Sequence, residues 1–108
     1  MNNTARQHDS LLRELNEERA AALARISRTL ESLISQLQQA RDHVFAASPD
    51  NREHAIGVFR ELRSRALEYR WYLEVQREAM GMRHHHNLDE YFKIPSLPGE
   101  RPHGDVRR

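Results

Sequence analysis

The amino-acid sequence predicts an all-α protein, a long antiparallel helical hairpin of the coiled-coil kind. Two long stretches repeat their apolar residues in alternating steps of three and four, which is the period of a helix stripe that meets another helix. A short break at Pro49 separates the two stretches. No part of the sequence alternates apolar and polar residues as a half-buried strand does. We expect two copies of this hairpin to form a four-helix bundle.

Composition limits the classes of protein to consider. A chain of 108 residues is expected to form one domain, and 31% charged against 38% hydrophobic residues suits an elongated helical protein with a thin core. The net charge of +1 does not favour nucleic acid or an anionic membrane as a partner. The absence of cysteine excludes disulfides and cysteine-ligated zinc. With no long apolar run and no secretory signal, we expect a cytoplasmic location.

The first helix is predicted over residues 10–46. Residues 1–9 are polar and lack periodicity, so we expect a frayed terminus there. Proline and glycine are absent from residues 10–46. The apolar positions then follow a strict alternation of three and four: Leu23, Ile26, Leu30, Leu33, Leu37, Ala40 and Val44.

The connection between the helices offers two start signals for the second helix. Ser48 with Pro49 is one, because proline at the first helical position loses no hydrogen bond. Asp50 with Glu53 is the other, as a capping box. Either choice leaves a short connection, and a short connection between long helices implies an antiparallel pair.

The second helix is predicted over residues 50–83. Its main stripe meets the first helix so that Leu37 faces Phe59 and Leu30 faces Ala66. In this pairing, acidic residues near the start of the first helix fall beside Arg77 and Arg83: Glu14, Glu17 and Glu18. The stripe itself contains small and large apolar residues: Ala55, Phe59, Leu62, Ala66, Tyr69, Leu73 and Met80.

A second apolar row on this helix, Leu67, Trp71 and Val75, points away from the first helix. Burying one large apolar side chain contributes about 1.5–3 kcal/mol, so this row is expected to be covered. Another copy of the chain is one possible cover, and the segment after the helix is the other. In that segment Asn87 and Glu90 form a capping signal. It opens a turn that we expect to dock through Leu88, Tyr91, Phe92 and Ile94.

The domain prediction therefore has three parts: a frayed terminus over residues 1–9, a folded unit over residues 10–94, and a flexible tail over residues 95–108. Pro95 ends the docking turn, and the residues beyond it are mostly prolines, glycines and charged side chains.

Apolar and aromatic side chains supply the candidate interaction surface. Tyrosine and tryptophan are enriched at interface hot spots, which favours a non-enzymatic protein–protein interaction module, a small accessory or regulatory subunit. We expect self-association as a dimer, a further protein partner, and no cofactor, metal or catalytic residue. Core packing against the returning chain is the competing interpretation. The predicted surface is Leu67, Tyr69, Trp71, Tyr72, Val75, Tyr91 and Phe92.

Two further functions rest on narrower features. Arg63, Arg70 and Arg77 recur every seven residues, and such a row can track nucleic-acid phosphates, although Glu74 can pair with its neighbours on the same helix face. The consecutive residues His84, His85 and His86 suggest a small metal-binding protein. Adjacent residues of a helix point about 100° apart, so an unbroken helix cannot direct all three at one ion. A solvated helix end is the alternative.

Overall fold

The computed structural model describes residues 3–101, in which three helices make up the regular structure: α1 (Asn3–Ala46), α2 (Pro49–Ala79) and α3 (His86–Tyr91). The predicted all-α hairpin is confirmed, since α1 and α2 pack against each other and residues 3–101 contain no strand. At its open end Arg19 Nη1 donates a hydrogen bond to Ala79 O over 3.1 Å, which fixes the antiparallel register. The molecule is elongated, 75 × 27 × 17 Å. None of the helices described is both long and apolar enough to cross a membrane.

The core follows the two predicted stripes. Leu30, Leu37 and Phe59 are fully buried between the helices. Their neighbours on the stripes are buried or half-buried, which confirms the predicted seam. The buried residues of the two long helices are Leu30, Leu33, Leu37, Ala40, Val44, Phe59, Ala66, Arg70 and Leu73.

The start of α1 differs from the prediction. The helix begins at Asn3 rather than near residue 10, because nothing in residues 3–9 breaks a helix and the chain continues the same winding. Residues 1 and 2 lie outside the described part of the chain. As a result α1 has 44 residues against 31 in α2, and its first turns extend past the end of α2.

The hairpin turn uses the first of the two predicted start signals. Ser48 is the N-cap of α2 and Pro49 is its first residue. The Ser48 side chain does not cap the backbone; its Oγ accepts from Asn51 Nδ2 over 3.1 Å. The Asn51 amide donates to Ser48 O over 3.0 Å and closes the first turn.

The end of α2 also differs from the prediction, at Ala79 rather than residue 83. Gly81 adopts a φ of 87°, in the left-handed region. The Gly81 amide donates to Glu78 O over 3.0 Å, and the Met82 amide donates to Arg77 O over 2.9 Å. This pair of bonds is the Schellman motif, which terminates a helix and turns the chain back.

After this turn the chain runs back along α2 as a returning segment (residues 84–101). It begins with α3, whose N-cap is His85, so the predicted capping role of Asn87 is wrong. Four side chains of the segment are buried against the hairpin: Leu88, Phe92, Ile94 and Leu97.

The docking turn is thus confirmed for three of its four predicted residues and wrong for Tyr91, which is 75% exposed. The predicted limit at Pro95 also falls short. Leu97 is buried, and Glu100 accepts hydrogen bonds from the Leu97 amide (3.0 Å) and from Arg60 Nε (3.3 Å). Docking therefore continues to the last described residue. The rest of the predicted tail, residues 102–108, lies outside the described residues.

Candidate protein interaction surface

Three apolar side chains stand on the side of α2 that faces away from α1. Trp71 is 58% exposed, Val75 40% and Tyr72 36%. The helix period places Ala66 and Leu73 in the seam with α1, and this period directs Trp71 and Val75 to the opposite side. The rings of Trp71 and Tyr72 lie 5.6 Å apart. We call these three residues the α2 outer face.

The same side of α2 is polar nearer the hairpin turn. There it carries Glu53, Gly57, Glu61 and Ser64, all exposed, in the steps of three and four that keep residues on one side of a helix. The apolar character therefore begins only in the half of α2 that leads to the open end of the hairpin. If this side of α2 only contacted solvent, its residues would have no reason to change from polar to apolar along the helix.

Glu68 sets the ionisation of the tyrosine at this face. The negative charge of Glu68 raises the pKa of the Tyr72 phenol above its usual value, with smaller contributions from burial and from a hydrogen bond to Glu68. A tyrosine phenol is already a neutral hydrogen-bond donor at physiological pH, and the shift does not change this. The Tyr69 ring packs edge-on against the Tyr72 ring, with centroids 5.3 Å apart, and helps to hold it.

The other residues of the predicted surface lie elsewhere. Leu67 and Tyr69 are half-buried and pack against the core. Phe92 is buried against the hairpin, whereas Tyr91 lies on the exposed side of α3, with its ring edge-on to Phe92 at 4.8 Å. The interpretation as core packing therefore applies to Leu67, Tyr69 and Phe92, whereas Tyr91 remains available for an interface.

The arginine row (Arg63, Arg70, Arg77) holds the returning segment onto α2. Arg63 donates to Pro95 O over 3.1 Å and to Arg101 O over 3.0 Å. Arg77 donates to His84 O over 3.0 Å. The partners follow one another in reverse order along the chain, so the segment runs antiparallel to α2. These guanidinium groups are engaged within the chain rather than presented to phosphates.

Arg70 is the most enclosed member of the row. Its side chain is 3% exposed, and its Nη2 donates to Asp89 Oδ1 over 2.7 Å. Its Nη1 lies 2.7 Å from Glu74 Oε1, the ion pair that the sequence predicts within α2. The Nε and Nη1 of Arg70 are buried without a hydrogen bond in the described structure, so the contact of Nη1 with Glu74 is an ion pair only. Arg70 therefore depends on two carboxylates that remain partly open to solvent.

The predicted ion pairs between the two long helices do not form. Arg77 turns to the returning segment, and among residues 3–101 neither it nor Arg83 pairs with Glu14, Glu17 or Glu18. The reason is that α2 ends at Ala79, level with Arg19, so these glutamates lie beyond it.

The histidine run is split by its local structure. His85 Nδ1 accepts from Arg77 Nε over 3.4 Å, which places its proton on Nε2, 3.1 Å from Glu78 Oε2. The rings of His84 and His86 lie 6.3 Å apart. Within residues 3–101 no three histidine or carboxylate side chains are grouped as a metal site.

An open cleft of about 390 Å³ lies at the hairpin turn. His43 and His54 line it from opposite helices, and both are exposed. Most of its remaining lining is small and apolar: Ala40, Ala46, Ala47, Ala55 and Val58, with Asn51.

Sequence reasoning missed one feature at the open end of the hairpin, the N-terminal arm (residues 3–18). The arm is the part of α1 that extends beyond Arg19 and Ala79, where α2 stops. Its three leucines, Leu11, Leu12 and Leu15, are exposed, Leu11 to 63%. The signal lay in the sequence, since the apolar positions begin before any residue of α2 that can face them.

Comparison of the chain with known protein families, with curated proteins and with solved structures gives no match. A proposal for the function therefore rests on the chemistry and geometry of the described residues.

Proposed function

We propose that this chain is a non-enzymatic protein–protein interaction module that acts as a small accessory or regulatory subunit. The observation that carries the proposal is the α2 outer face, where Trp71 is 58% exposed beside Tyr72 and Val75. Fully burying a large apolar side chain contributes about 1.5–3 kcal/mol, so a protein that covers this face gains affinity from a few residues. Tryptophan and tyrosine are also the residue types most enriched at interface hot spots.

The first partner that we propose is a second copy of the chain. Two hairpins bring together four long helices, the number expected for a dimeric bundle. The arrangement is supported by the position of the α2 outer face, which neither α1 nor the returning segment covers. Tyr91, exposed on α3, offers a separate contact for a different protein.

The alternative function, nucleic-acid binding, was suggested by the arginine row, but these arginines bind groups of the chain itself. Arg63 and Arg77 donate to backbone carbonyls of the returning segment, and Arg70 is buried between two carboxylates. A phosphate contact would require these bonds to break.

Site-specific photo-crosslinking tests the proposal. A photoreactive amino acid at Tyr72 is expected to form a covalent adduct with a protein, either a second copy in the purified sample or another protein in an extract of the source cells. The same group at Glu61, exposed on the polar half of α2, serves as the control. Equal labelling at the two positions, or none at Tyr72 in either sample, would contradict the proposal.

A further inference from the structure

We infer that two copies of the chain exchange their N-terminal arms, so that the arm of each covers the α2 outer face of the other. This exchange rests on the proposed interaction function and names the segment that occupies the surface. Both halves of the contact come from the same chain and lie at the same end of the hairpin. A two-fold axis at that end therefore satisfies both faces at once and closes the assembly at a dimer.

The length of the arm matches the apolar part of α2. The arm comprises about 16 residues of α1, or roughly 24 Å at 1.5 Å per residue. Laid along a partner's α2 from its end at Ala79, it reaches back to about Ser64. The outer side of α2 changes from polar to apolar within that interval, between Ser64 and Trp71. The apolar residues thus fall within reach of the arm, together with Glu68 and Glu78 on the same side, whereas Glu53, Gly57 and Glu61 lie beyond it.

The leucines of the arm point in the required direction. Leu12 and Leu15 continue the spacing of three and four that leads to Leu30, so they lie on the side of α1 that faces α2. Beyond Ala79 that side faces no helix of its own chain among the described residues. In the two-fold arrangement the partner's α2 occupies this space with its outer side turned toward the arm. The ends of the two α2 helices then pass side by side between the two α1 helices, because residues 80–83 continue each chain past Ala79.

The register of the hairpin pairs specific residues across the two-fold axis. Arg19 is level with Ala79, so Val75 and Trp71 are one and two helical turns further into the hairpin. With the two-fold axis near Arg19, Leu15 of one copy lies beside Val75 of the other. Leu11 then lies beside Trp71, because both pairs are separated by four residues.

The arm lacks the packing that stabilises the rest of α1. Most helical stability in proteins comes from packing of an apolar side, and the leucines of the arm are exposed among residues 3–101. Packing the leucines of the arm on a partner's α2 outer face supplies that contact to both copies. A different protein would have to provide two separate covers, one for the arm and one for α2.

Disulfide trapping tests the contact directly, because the chain contains no cysteine of its own. The Leu15→Cys and Val75→Cys chains are purified separately, mixed and oxidised. We expect a disulfide-linked dimer that contains one chain of each kind. The control replaces Val75→Cys by Val58→Cys, another valine of α2, with 44% exposure, near the hairpin turn. That mixture is expected to give no such product.

A second variant measures the contribution of the arm. Leu11→Glu with Leu15→Glu is expected to convert the dimer to a monomer at tens of micromolar, as measured by light scattering. Val58→Glu, the control, is expected to leave the dimer intact. Both leucines are exposed, so the hairpin folds without them, and circular dichroism confirms this for each variant.

The outcomes separate arm exchange from the proposed function. A dimer that survives the leucine variant and gives no Leu15–Val75 disulfide would overturn arm exchange and leave self-association standing. A monomeric wild-type chain would also overturn arm exchange. A photo-adduct at Tyr72 with a different protein would still support the interaction function in that case.

Discussion

At the residue scale, Leu30 and Leu33 are two of the buried side chains that form the hairpin seam. Leu30 is fully buried and Leu33 nearly so. Replacing either by alanine removes buried methyl groups and leaves a cavity, so Leu30→Ala or Leu33→Ala is expected to cost about 2–5 kcal/mol of unfolding free energy. Thermal or urea unfolding of each variant measures this cost. Phe45→Ala, at an exposed apolar residue of α1 outside the arm, is the matched control, and an equal loss there would mean that the seam lies on a different side of α1.

Asp89 is the second residue whose removal has a defined cost. Asp89→Ala takes a 2.7 Å charged hydrogen bond from Arg70, whose side chain is buried and has Glu74 as its other carboxylate neighbour. Hydrogen bonds to charged groups contribute about 1.5–3 kcal/mol, and because Asp89 is partly exposed we expect the lower part of this range. Chemical unfolding of Asp89→Ala against Glu90→Ala, an exposed neighbour, tests the claim. Indistinguishable stabilities would show that Arg70 does not need Asp89.

The arginine row shows that residue spacing predicts the side of a helix on which residues lie but not what they bind. A repeat of seven places Arg63, Arg70 and Arg77 on one side of a helix whether that side meets water, phosphate or protein. The choice depends on carbonyl groups such as Pro95 O, which reach α2 only after the chain has turned back. The sequence predicted the side on which these arginines lie but not their partners.

At the element scale, the two glycines of the α2 region have different roles, one inside the helix and one in the turn that ends it. Gly57 lies inside the helix with open space around its Cα, whereas Gly81 has a φ of 87° in the Schellman turn. Gly57→Ala is expected to stabilise the fold by about 0.4–1 kcal/mol. Gly81→Ala is expected to destabilise it by about 1–2 kcal/mol, because an L residue is strained in the left-handed region. Thermal melting of the two variants gives both signs, and a stabilising Gly81→Ala would contradict the turn described here.

Local chemistry predicted the start of α2 as one of two alternatives, whereas the end of α2 at Ala79 and the N-cap of α3 at His85 both differ from the prediction. Ser48 with Pro49 identifies the start of α2, and it needs no information from the rest of the chain. The returning segment was predicted only as far as Pro95, because prolines and glycines in sequence suggest a loose tail. Its continuation depends on Arg60 and Arg63, which bind Glu100 and the backbone from α2.

At the scale of the whole molecule, the two long helices are unequal, with 44 residues in α1 and 31 in α2. Among residues 3–101, no other element covers the arm or the α2 outer face, and both lie at the open end of the hairpin. The sequence predicted a second apolar row on α2 and expected a cover for it; Leu67 packs against the core, whereas Trp71 and Val75 are exposed. It did not predict the arm, because α1 was expected to begin near residue 10 and α2 to end at residue 83, which leaves almost no overhang.

The molar mass of the chain in solution tests the central claim most directly, that protein covers the apolar side of α2. Multi-angle light scattering at tens of micromolar is expected to give twice the 12.7 kDa mass of the chain. The expected value follows from the exposed Trp71 and Val75 and from the arm that fits them. A mass of 12.7 kDa under the same conditions would contradict self-association of this chain.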